Sequence, residues 1–180
     1  MMSNVLIAQI VGLVAMAFNV LSYQQKNQRD VIAYQLGGSI LFSVNYLMLG
    51  AVVGGILNIV AIIRALVFLN REKTKADNPV WLQSFVAVYL LTYVLTFTVF
   101  GKEATVFNLI LEFLPIVAMT ASTLGFHLND ATAIRRMGLI SSPSWILYDL
   151  VSLNVGAILC ELLSLSSIFI GMSRFDRKRA

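Results

Sequence analysis

Four ionisable side chains lie inside long apolar runs of this sequence: Arg64, Glu112, Asp149 and Glu161. Moving a charged group into hydrocarbon costs about 2.5–3.5 kcal/mol on insertion scales, so each one needs a partner or a water-filled cavity. Carboxylates and a guanidinium in such places can bind a solute, carry a proton or form ion pairs that hold helices together. The chemistry they favour is therefore transport across a membrane or helix assembly.

Glu112 shares one helix face with Asn108 and Pro115, at spacings i, i+4 and i+7. It lies about 12 Å from the start of its predicted helix, at 1.5 Å per residue. Pro115 leaves the backbone carbonyl of Leu111 without its usual donor, which makes that carbonyl available to a ligand or water. Both a role in solute contact or proton transfer and a structural role as an ion pair are open for Glu112. The shared polar stripe favours the first.

The other three groups lie closer to the ends of predicted helices. Glu161 and Arg64 each lie about 9 Å from a helix end. Arg64 can pair with Glu112 or Glu161 across the bundle, or bend back to the lipid headgroups, and we favour pairing. Asp149 lies about one turn from a helix end, so a solvated helix end is the favoured interpretation and a functional role is the alternative.

Two aromatic side chains, Trp145 and Tyr148, lie near the same predicted end as Asp149. Aromatic residues there usually form a belt at the membrane interface. However, Ser141, Trp145 and Asp149 share one helix face, and a Trp above a polar pocket can stack on a sugar, nucleoside or vitamin ring. The belt is the favoured interpretation, and substrate contact is the alternative.

The composition is that of a membrane protein. Of the 180 residues, 58% are hydrophobic and 12% are charged, with a mean hydropathy of +0.82, whereas ordinary domains carry roughly 25% charged residues. So little polar surface cannot cover a globule in water, and lipid must be the solvent for much of the chain. The net charge of +4 does not indicate a nucleic-acid partner, because Lys and Arg form short clusters between apolar runs, as membrane flanks do.

Seven membrane-spanning helices are predicted, since about 20 residues cross the roughly 30 Å hydrocarbon layer. The run 31–63 carries no charge but is too long for one helix, and Gly50 marks the expected break. The predicted spans, numbered 1 to 7, are residues 4–23, 31–49, 51–70, 80–100, 104–123, 134–152 and 155–173.

The basic residues predict the orientation of these spans. Only Lys102 lies on one side of the predicted bundle, Arg64 lies within span 3, and the remaining 11 of the 13 Lys and Arg residues lie on the other side. By the positive-inside rule, the N-terminus is outside and the C-terminus is in the cytoplasm. The 11 are Lys26, Arg29, Arg71, Lys73, Lys75, Arg135, Arg136, Arg174, Arg177, Lys178 and Arg179.

The order of the spans repeats along the chain. Spans 1–3 and spans 5–7 each have a polar or basic loop after the first helix, a short break after the second and a basic tail after the third. An odd number of spans inverts the chain, so span 4 makes the two triplets parallel, and such repeats place a binding site near the midplane between the halves. We expect an all-α membrane protein with a 3+1+3 arrangement. Residues 1–75 form the first bundle, 76–101 the linker helix, and 102–180 the second bundle with a basic cytoplasmic tail.

The stretch SYQQKNQR at residues 22–29 resembles the PQ-loop pattern, with Gln24 where the proline of a proline-glutamine pair stands. The 3+1+3 arrangement resembles that of the SWEET and PQ-loop families and of the related Pnu vitamin transporters. Over residues 1–178 the chain looks most like the YgjV-like bacterial inner-membrane proteins. The resemblance to the SWEET, PQ-loop and Pnu families implies a multi-pass transporter, and the resemblance to the YgjV-like proteins implies the bacterial inner (plasma) membrane.

The resemblance also implies roles for single residues. The SWEET family holds its substrate with polar residues, often asparagines, on its third and seventh helices, where this chain has Asn58 and either Cys160 or Glu161. The implied gate and hinge residues are Ser22, Tyr23, Gln24, Pro115 and Pro143.

No catalytic constellation is visible in the sequence. The one histidine, His127, lies in a predicted loop, and there is no HExxH, glycine-rich phosphate loop or CxxC motif. We therefore expect no enzyme activity, no cofactor and no metal.

The sequence thus predicts a transporter or facilitator of a small polar solute, similar to a sugar, nucleoside or vitamin, that works by alternating access between the two bundles. The alternative is a non-transporting scaffold or assembly protein whose intramembrane charges are structural. Expected partners are the lipid bilayer and the solute, and a homo-oligomer is left open. The predicted substrate-binding residues are Asn58, Asn108, Glu112, Glu161, Trp145 and Tyr148, and the predicted ion-pair or coupling residues are Arg64, Glu112 and Glu161.

Overall fold

Helices make up nearly all of the described chain. The computed structural model describes residues 2–48, 52–151 and 155–176, and these ranges contain no strand. Their helices are α1 (Met2–Ser22), α2 (Gln28–Met48), α3 (Val52–Leu69), α4 (Arg71–Thr74), α5 (Pro79–Thr98), α6 (Val106–His127), α7 (Ala131–Val151) and α8 (Val155–Gly171), followed by a π-helical turn at Met172–Asp176. The prediction of an all-α protein is confirmed for these residues.

The seven long helices of the described ranges lie where the sequence predicts spans 1–7, with ends that differ by a few residues. Four described segments are long and apolar enough to cross a membrane, and two shorter helices are also apolar. The four are Gln28–Met48, Pro79–Thr98, Val106–His127 and Gly156–Asp176, and the shorter two are Ile7–Ser22 and Gly55–Leu69. The count of seven spans, the 3+1+3 arrangement and the orientation of the termini stay predictions.

Two of the sequence predictions concern residues outside the described ranges. These are the helix break at Gly50 and the basic residues Arg177, Lys178 and Arg179.

The first compact unit is residues 1–76. In it, α2 packs against both α1 and α3. A Cβ added to Gly38 of α2 would lie 3.0 Å from Asn19 Oδ1 of α1, so the glycine permits a close approach of these helices. The buried side chain of Asn45 donates to the Ala8 carbonyl of α1 at 2.6 Å. Small residues and interhelical hydrogen bonds hold helices together in lipid, where burial of apolar surface contributes little.

The second compact unit begins at Asp77 and contains α5 to α8. Here α7 packs against both α6 and α8, and α5 packs against α6. Gly125 permits the close approach of α6 and α7, because a Cβ at this position would lie 3.0 Å from Ile134 Cα. The second unit therefore places α7 between two neighbours, as the first unit does with α2.

The hydroxyl groups of two tyrosines form hydrogen bonds between α5, the predicted linker, and α6. Tyr89 is 1% exposed, and its hydroxyl forms a hydrogen bond with the Thr123 hydroxyl at 3.0 Å. Tyr93 donates to the Leu109 carbonyl at 3.0 Å. These side chains pack α5 within the second unit, and its role as a linker between repeats stays a prediction.

Candidate functional site

A row of buried polar side chains lies along α7. Ser141, Ser142, Ser144 and Asp149 are each less than a tenth exposed. Lipid offers no hydrogen bonds, so a polar group among apolar helices needs a protein partner or a water-filled space. α7 is therefore the helix on which a polar site is built in the second unit.

Glu161 of α8 adds a carboxylate to this row. Its electrostatic neighbours on α7 are Ser142 and Asp149. Among the described residues, no Lys or Arg forms an ion pair with either Asp149 or Glu161. Two carboxylates therefore lie near each other at the α7–α8 interface without a counter-charge from this part of the chain.

Asp149 differs from its predicted environment. Its side chain is 6% exposed, whereas a solvated carboxylate at a helix end would be largely exposed. The interpretation of Asp149 as a solvated end is therefore wrong. α7 packs against both α6 and α8, and the position of Asp149 along its own helix does not reveal the resulting burial.

Trp145 and Tyr148 form an aromatic pair beside the carboxylates. Their ring centroids are 5.9 Å apart and the ring planes meet at 83°. Trp145 precedes Asp149 by four residues and follows Ser142 by three, so the three side chains share one face of α7. Both rings are partly exposed. This geometry allows ring stacking or cation binding, and the interfacial belt stays a prediction.

Further polar groups extend the row to the neighbouring helices. Ser122 of α6 donates to the Ser141 hydroxyl at 3.0 Å, and α8 adds the buried side chains of Cys160 and Ser164. In the part of the chain that the structure describes, no three His, Cys, Asp or Glu side chains are grouped so that they could hold a metal ion. The row offers hydrogen-bonding groups rather than a set of metal ligands.

Glu112 lies in the second turn of α6, where its carboxylate forms an ion pair with the Lys102 ammonium. The Glu112 side chain is 11% exposed and that of Lys102 is 36% exposed. The Asn108 side chain donates to the Glu103 carbonyl at 2.9 Å. Glu112 and Asn108, both predicted to bind substrate, thus make local contacts at the start of α6.

Asn58 and Arg64 both lie on α3 in the first unit. Arg64 is 6% exposed, whereas Asn58 is partly exposed. The predicted partners of Arg64 are Glu112 and Glu161, which belong to the second unit. That pairing stays a prediction.

The predicted gate residues Ser22, Tyr23 and Gln24 lie where α1 ends and turns toward α2. Ser22 is fully buried, and its hydroxyl donates to the Asn19 carbonyl at 2.6 Å. It also accepts a hydrogen bond from the Gln35 amide of α2 at 3.2 Å. These contacts fix the end of α1 to α2, and a gating role stays a prediction.

The predicted hinge residues Pro115 and Pro143 lie inside α6 and α7. Each removes one backbone donor from the interior of its helix, which can bend a helix. Pro143 directly follows Ser142, the residue that contacts Glu161. A hinge at Pro143 would therefore move half of the polar row relative to the other half.

One interaction of the second unit is not foreseen by sequence reasoning. Asp176, in the π-helical turn after α8, accepts hydrogen bonds from Arg135 and Thr132 at the start of α7. Arg135 is 1% exposed, and its guanidinium lies 5.5 Å from the centroid of the Phe175 ring. The one available signal is that Asp176 is the acidic residue of an otherwise basic segment, RFDRKR.

The chain matches the Imp-YgjV family, described as "Bacterial inner membrane protein", over residues 6–179. The chain belongs to this family. No curated protein and no solved structure matches it.

Membership places this Imp-YgjV protein in the bacterial inner membrane, in agreement with the predicted localisation. Its helices carry many exposed apolar side chains, among them Leu13 at 60%, Leu91 at 57% and Phe169 at 59% exposure. Lipid is a favourable neighbour for such side chains, whereas water is not. The resemblance to the SWEET, PQ-loop and Pnu families stays a prediction.

Proposed function

We propose that this Imp-YgjV protein is a transporter or facilitator of a small polar solute. The observation that carries the proposal is the pair of carboxylates, Asp149 and Glu161, at the α7–α8 interface. Ionisable groups inside a membrane are costly and rare. Where they occur, they commonly mark the pathway of a solute, an ion or a proton. If the two carboxylates served only to stabilise the packing of α7 against α8, apolar side chains would stabilise it equally well.

The proposed mechanism is alternating access between two three-helix bundles, with the N-terminus outside and seven spans in a 3+1+3 arrangement. Support comes from the similar organisation of the two compact units, each with its middle helix packed against two neighbours. Parallel repeats of this kind are a known plan among transporters, with binding near the midplane. The proposed solute class is sugar-, nucleoside- or vitamin-like.

Within this proposal the residues have separate roles. Glu161 contacts the solute, with Trp145 and Tyr148 as stacking partners. If one of the carboxylates takes up a proton, transport is coupled to the proton gradient, and if neither does, the protein is a facilitator. Further contacts are proposed for Asn58, Asn108 and Glu112, an ion-pair role for Arg64, and gating or bending for Ser22, Tyr23, Gln24, Pro115 and Pro143.

A second candidate function is a membrane scaffold or assembly protein. The Lys102–Glu112 ion pair favours a scaffold, because the Glu112 carboxylate, which is predicted to bind substrate, forms a local contact instead. On this view the intramembrane charges hold helices together and no solute binds.

The two functions are separated by solute flux. The full chain is reconstituted into liposomes, and uptake is measured for a panel of sugars, nucleosides, vitamins, amino acids and amines. The transporter predicts saturable uptake of at least one class, which Glu161→Gln reduces strongly, while Glu103→Gln, an exposed carboxylate outside the row, leaves it unchanged. The transporter proposal is wrong if no solute class is taken up and no solute raises the melting temperature of the protein.

A further inference from the structure

In the part of the second unit that the structure describes, some carboxylates form ion pairs with a basic side chain and others do not. The Glu112 carboxylate is paired with Lys102, and the Asp176 carboxylate is paired with Arg135. Asp149 and Glu161 have no such cation among the described residues of this unit. The α7–α8 interface therefore holds two carboxyl groups for which the described part of this unit supplies no cation.

Asp149 is the more isolated of the two carboxylates. It is 6% exposed, and it makes no hydrogen bond with the residues that the structure describes. Its electrostatic neighbours on α8 are Glu161 and Cys160, neither of which carries a positive charge. Ionisation of a buried carboxyl group is costly, and a ligand that supplies positive charge and hydrogen-bond donors would stabilise the charged form of Asp149.

An aromatic ring lies on the same face as this carboxylate. Trp145 lies between Ser142 and Asp149 on one stripe of α7, and Ser142 contacts Glu161. Trp is the side chain whose ring face attracts cations most strongly, and the attraction grows when water is excluded. A carboxylate and a Trp ring on one helix face are groups that recognise ammonium and other organic cations.

We infer that the solute of this protein is an organic cation, an amine or a quaternary ammonium compound, bound by Asp149, Glu161 and the Trp145 ring. This inference rests on the proposed function and narrows its solute class. A neutral sugar would leave both carboxylates without a counter-charge. An anion would be repelled by them.

The binding test uses the full chain in detergent with the Trp81→Phe substitution. The protein has two tryptophans, so this background leaves Trp145 as the only one, and its fluorescence reports on the site. The probes are choline and its neutral isostere 3,3-dimethyl-1-butanol, with tyramine as a primary amine. We expect choline or tyramine to change the fluorescence saturably, and the neutral isostere to have no effect at the same concentration.

Three variants in that background locate the binding site. Glu161→Gln and Asp149→Asn should each weaken cation binding about tenfold or more, because each removes a charge-assisted contact. Glu103→Gln removes an exposed carboxylate of the same unit and should leave binding unchanged. The melting temperature of each variant shows whether it is folded. If Asp149→Asn does not fold, Glu161→Gln carries the test, since its amide can keep a contact with the Ser142 hydroxyl.

Solute uptake into liposomes, measured together with cation binding, tests this inference and the proposed function separately. Cation binding together with cation uptake supports both. Uptake of a neutral solute without cation binding overturns the inference and leaves the transporter standing. Cation binding without uptake supports the ligand class and overturns transport. Equal binding of choline and its neutral isostere, or binding that Glu161→Gln does not alter, overturns the inference.

Discussion

Arg135 and Asp176 form a two-pronged ion pair at one end of the second unit. Arg135 Nε donates to Asp176 Oδ2 at 3.0 Å, and Arg135 Nη2 donates to Asp176 Oδ1 at 2.5 Å. The Thr132 hydroxyl donates to Oδ1 at 2.9 Å. Parallel contacts of a guanidinium with a carboxylate are strong and fix their relative geometry. The pair therefore ties the start of α7 to the turn that follows α8.

The first prediction concerns this pair. Asp176→Asn should lower the free energy of unfolding by about 3 kcal/mol, because it removes the negative charge that faces the buried Arg135 guanidinium. Arg135 is 1% exposed, so water cannot replace the lost carboxylate. Thr132→Val should cost less, about 1 kcal/mol, since it removes one hydrogen bond and leaves the ion pair. Thermal unfolding in detergent measures both changes.

Glu103→Gln is the matched control for Asp176→Asn, because Glu103 is an exposed carboxylate of the same unit. Its melting temperature should equal that of the unmodified chain. If Asp176→Asn melts at the same temperature as this control, the ion pair does not hold α7 and α8 together.

The second prediction concerns Lys102 and Glu112. In a double-mutant cycle with Lys102→Gln and Glu112→Gln, the coupling energy should be about 0.5–1 kcal/mol, as expected for a partly exposed ion pair. The Lys102 side chain is 36% exposed, so water and salt screen the attraction. Unfolding in low and high salt measures it, and the coupling should shrink in high salt. Strictly additive effects would show that the two side chains do not interact in the folded protein.

The helix positions could be predicted because lipid restricts the backbone. Every N–H and C=O group in hydrocarbon must be satisfied within its own segment, so a long apolar run folds as a helix. The predicted helix in turn predicts the contact between Trp145 and Tyr148, because residues three apart on a helix are neighbours. The sequence also places Glu161 inside an apolar helix. It does not reveal that Ser142 of α7 contacts it.

Contacts between distant positions could not be predicted. Arg135 and Asp176 are 41 residues apart, and both lie in basic stretches that predict topology rather than pairing. Lys102 lies in a loop, and only the path of the chain brings its ammonium to Glu112. The burial of Asp149 depends on how the neighbouring helices pack against α7, which periodicity along one helix does not specify.

The third prediction concerns the close approach of α6 and α7. Gly125→Ala should lower the free energy of unfolding by about 1–3 kcal/mol, because the added methyl group overpacks the interface. It would lie 3.0 Å from Ile134 Cα, a backbone atom that cannot rotate away. Chemical or thermal unfolding in detergent measures the loss.

Gly37→Ala is the control for Gly125→Ala, since it makes the same substitution inside α2. Its methyl group would meet the Phe18 ring at 2.7 Å, but this side chain is 36% exposed and can turn aside. We expect a smaller loss than for Gly125→Ala. The opposite order would contradict the interpretation that α6 and α7 approach through Gly125.

The last prediction concerns the two tyrosines that fasten α5 to α6. The Thr123 hydroxyl donates to the Met119 carbonyl at 2.7 Å, so its one proton is in use and Tyr89 must be the donor in their hydrogen bond. Tyr89→Phe removes this donor but leaves Thr123 with a partner. The free energy of unfolding should therefore fall by only about 0.6 kcal/mol, the average for hydrogen bonds between membrane helices, and by no more than about 1.7 kcal/mol, the largest value found for them.

Tyr93→Phe provides the comparison, because the hydrogen bond from Tyr93 to the Leu109 carbonyl is exposed. It should cost less than Tyr89→Phe. Tyr89 is 1% exposed, and its ring stacks on Phe85 with centroids 6.5 Å apart, so the phenylalanine ring keeps its packing and the difference reports the hydroxyl alone. Equal losses in the two variants would mean that burial does not strengthen the Tyr89 contact. No loss in either would mean that α5 is held to α6 by side-chain packing without help from the hydroxyls.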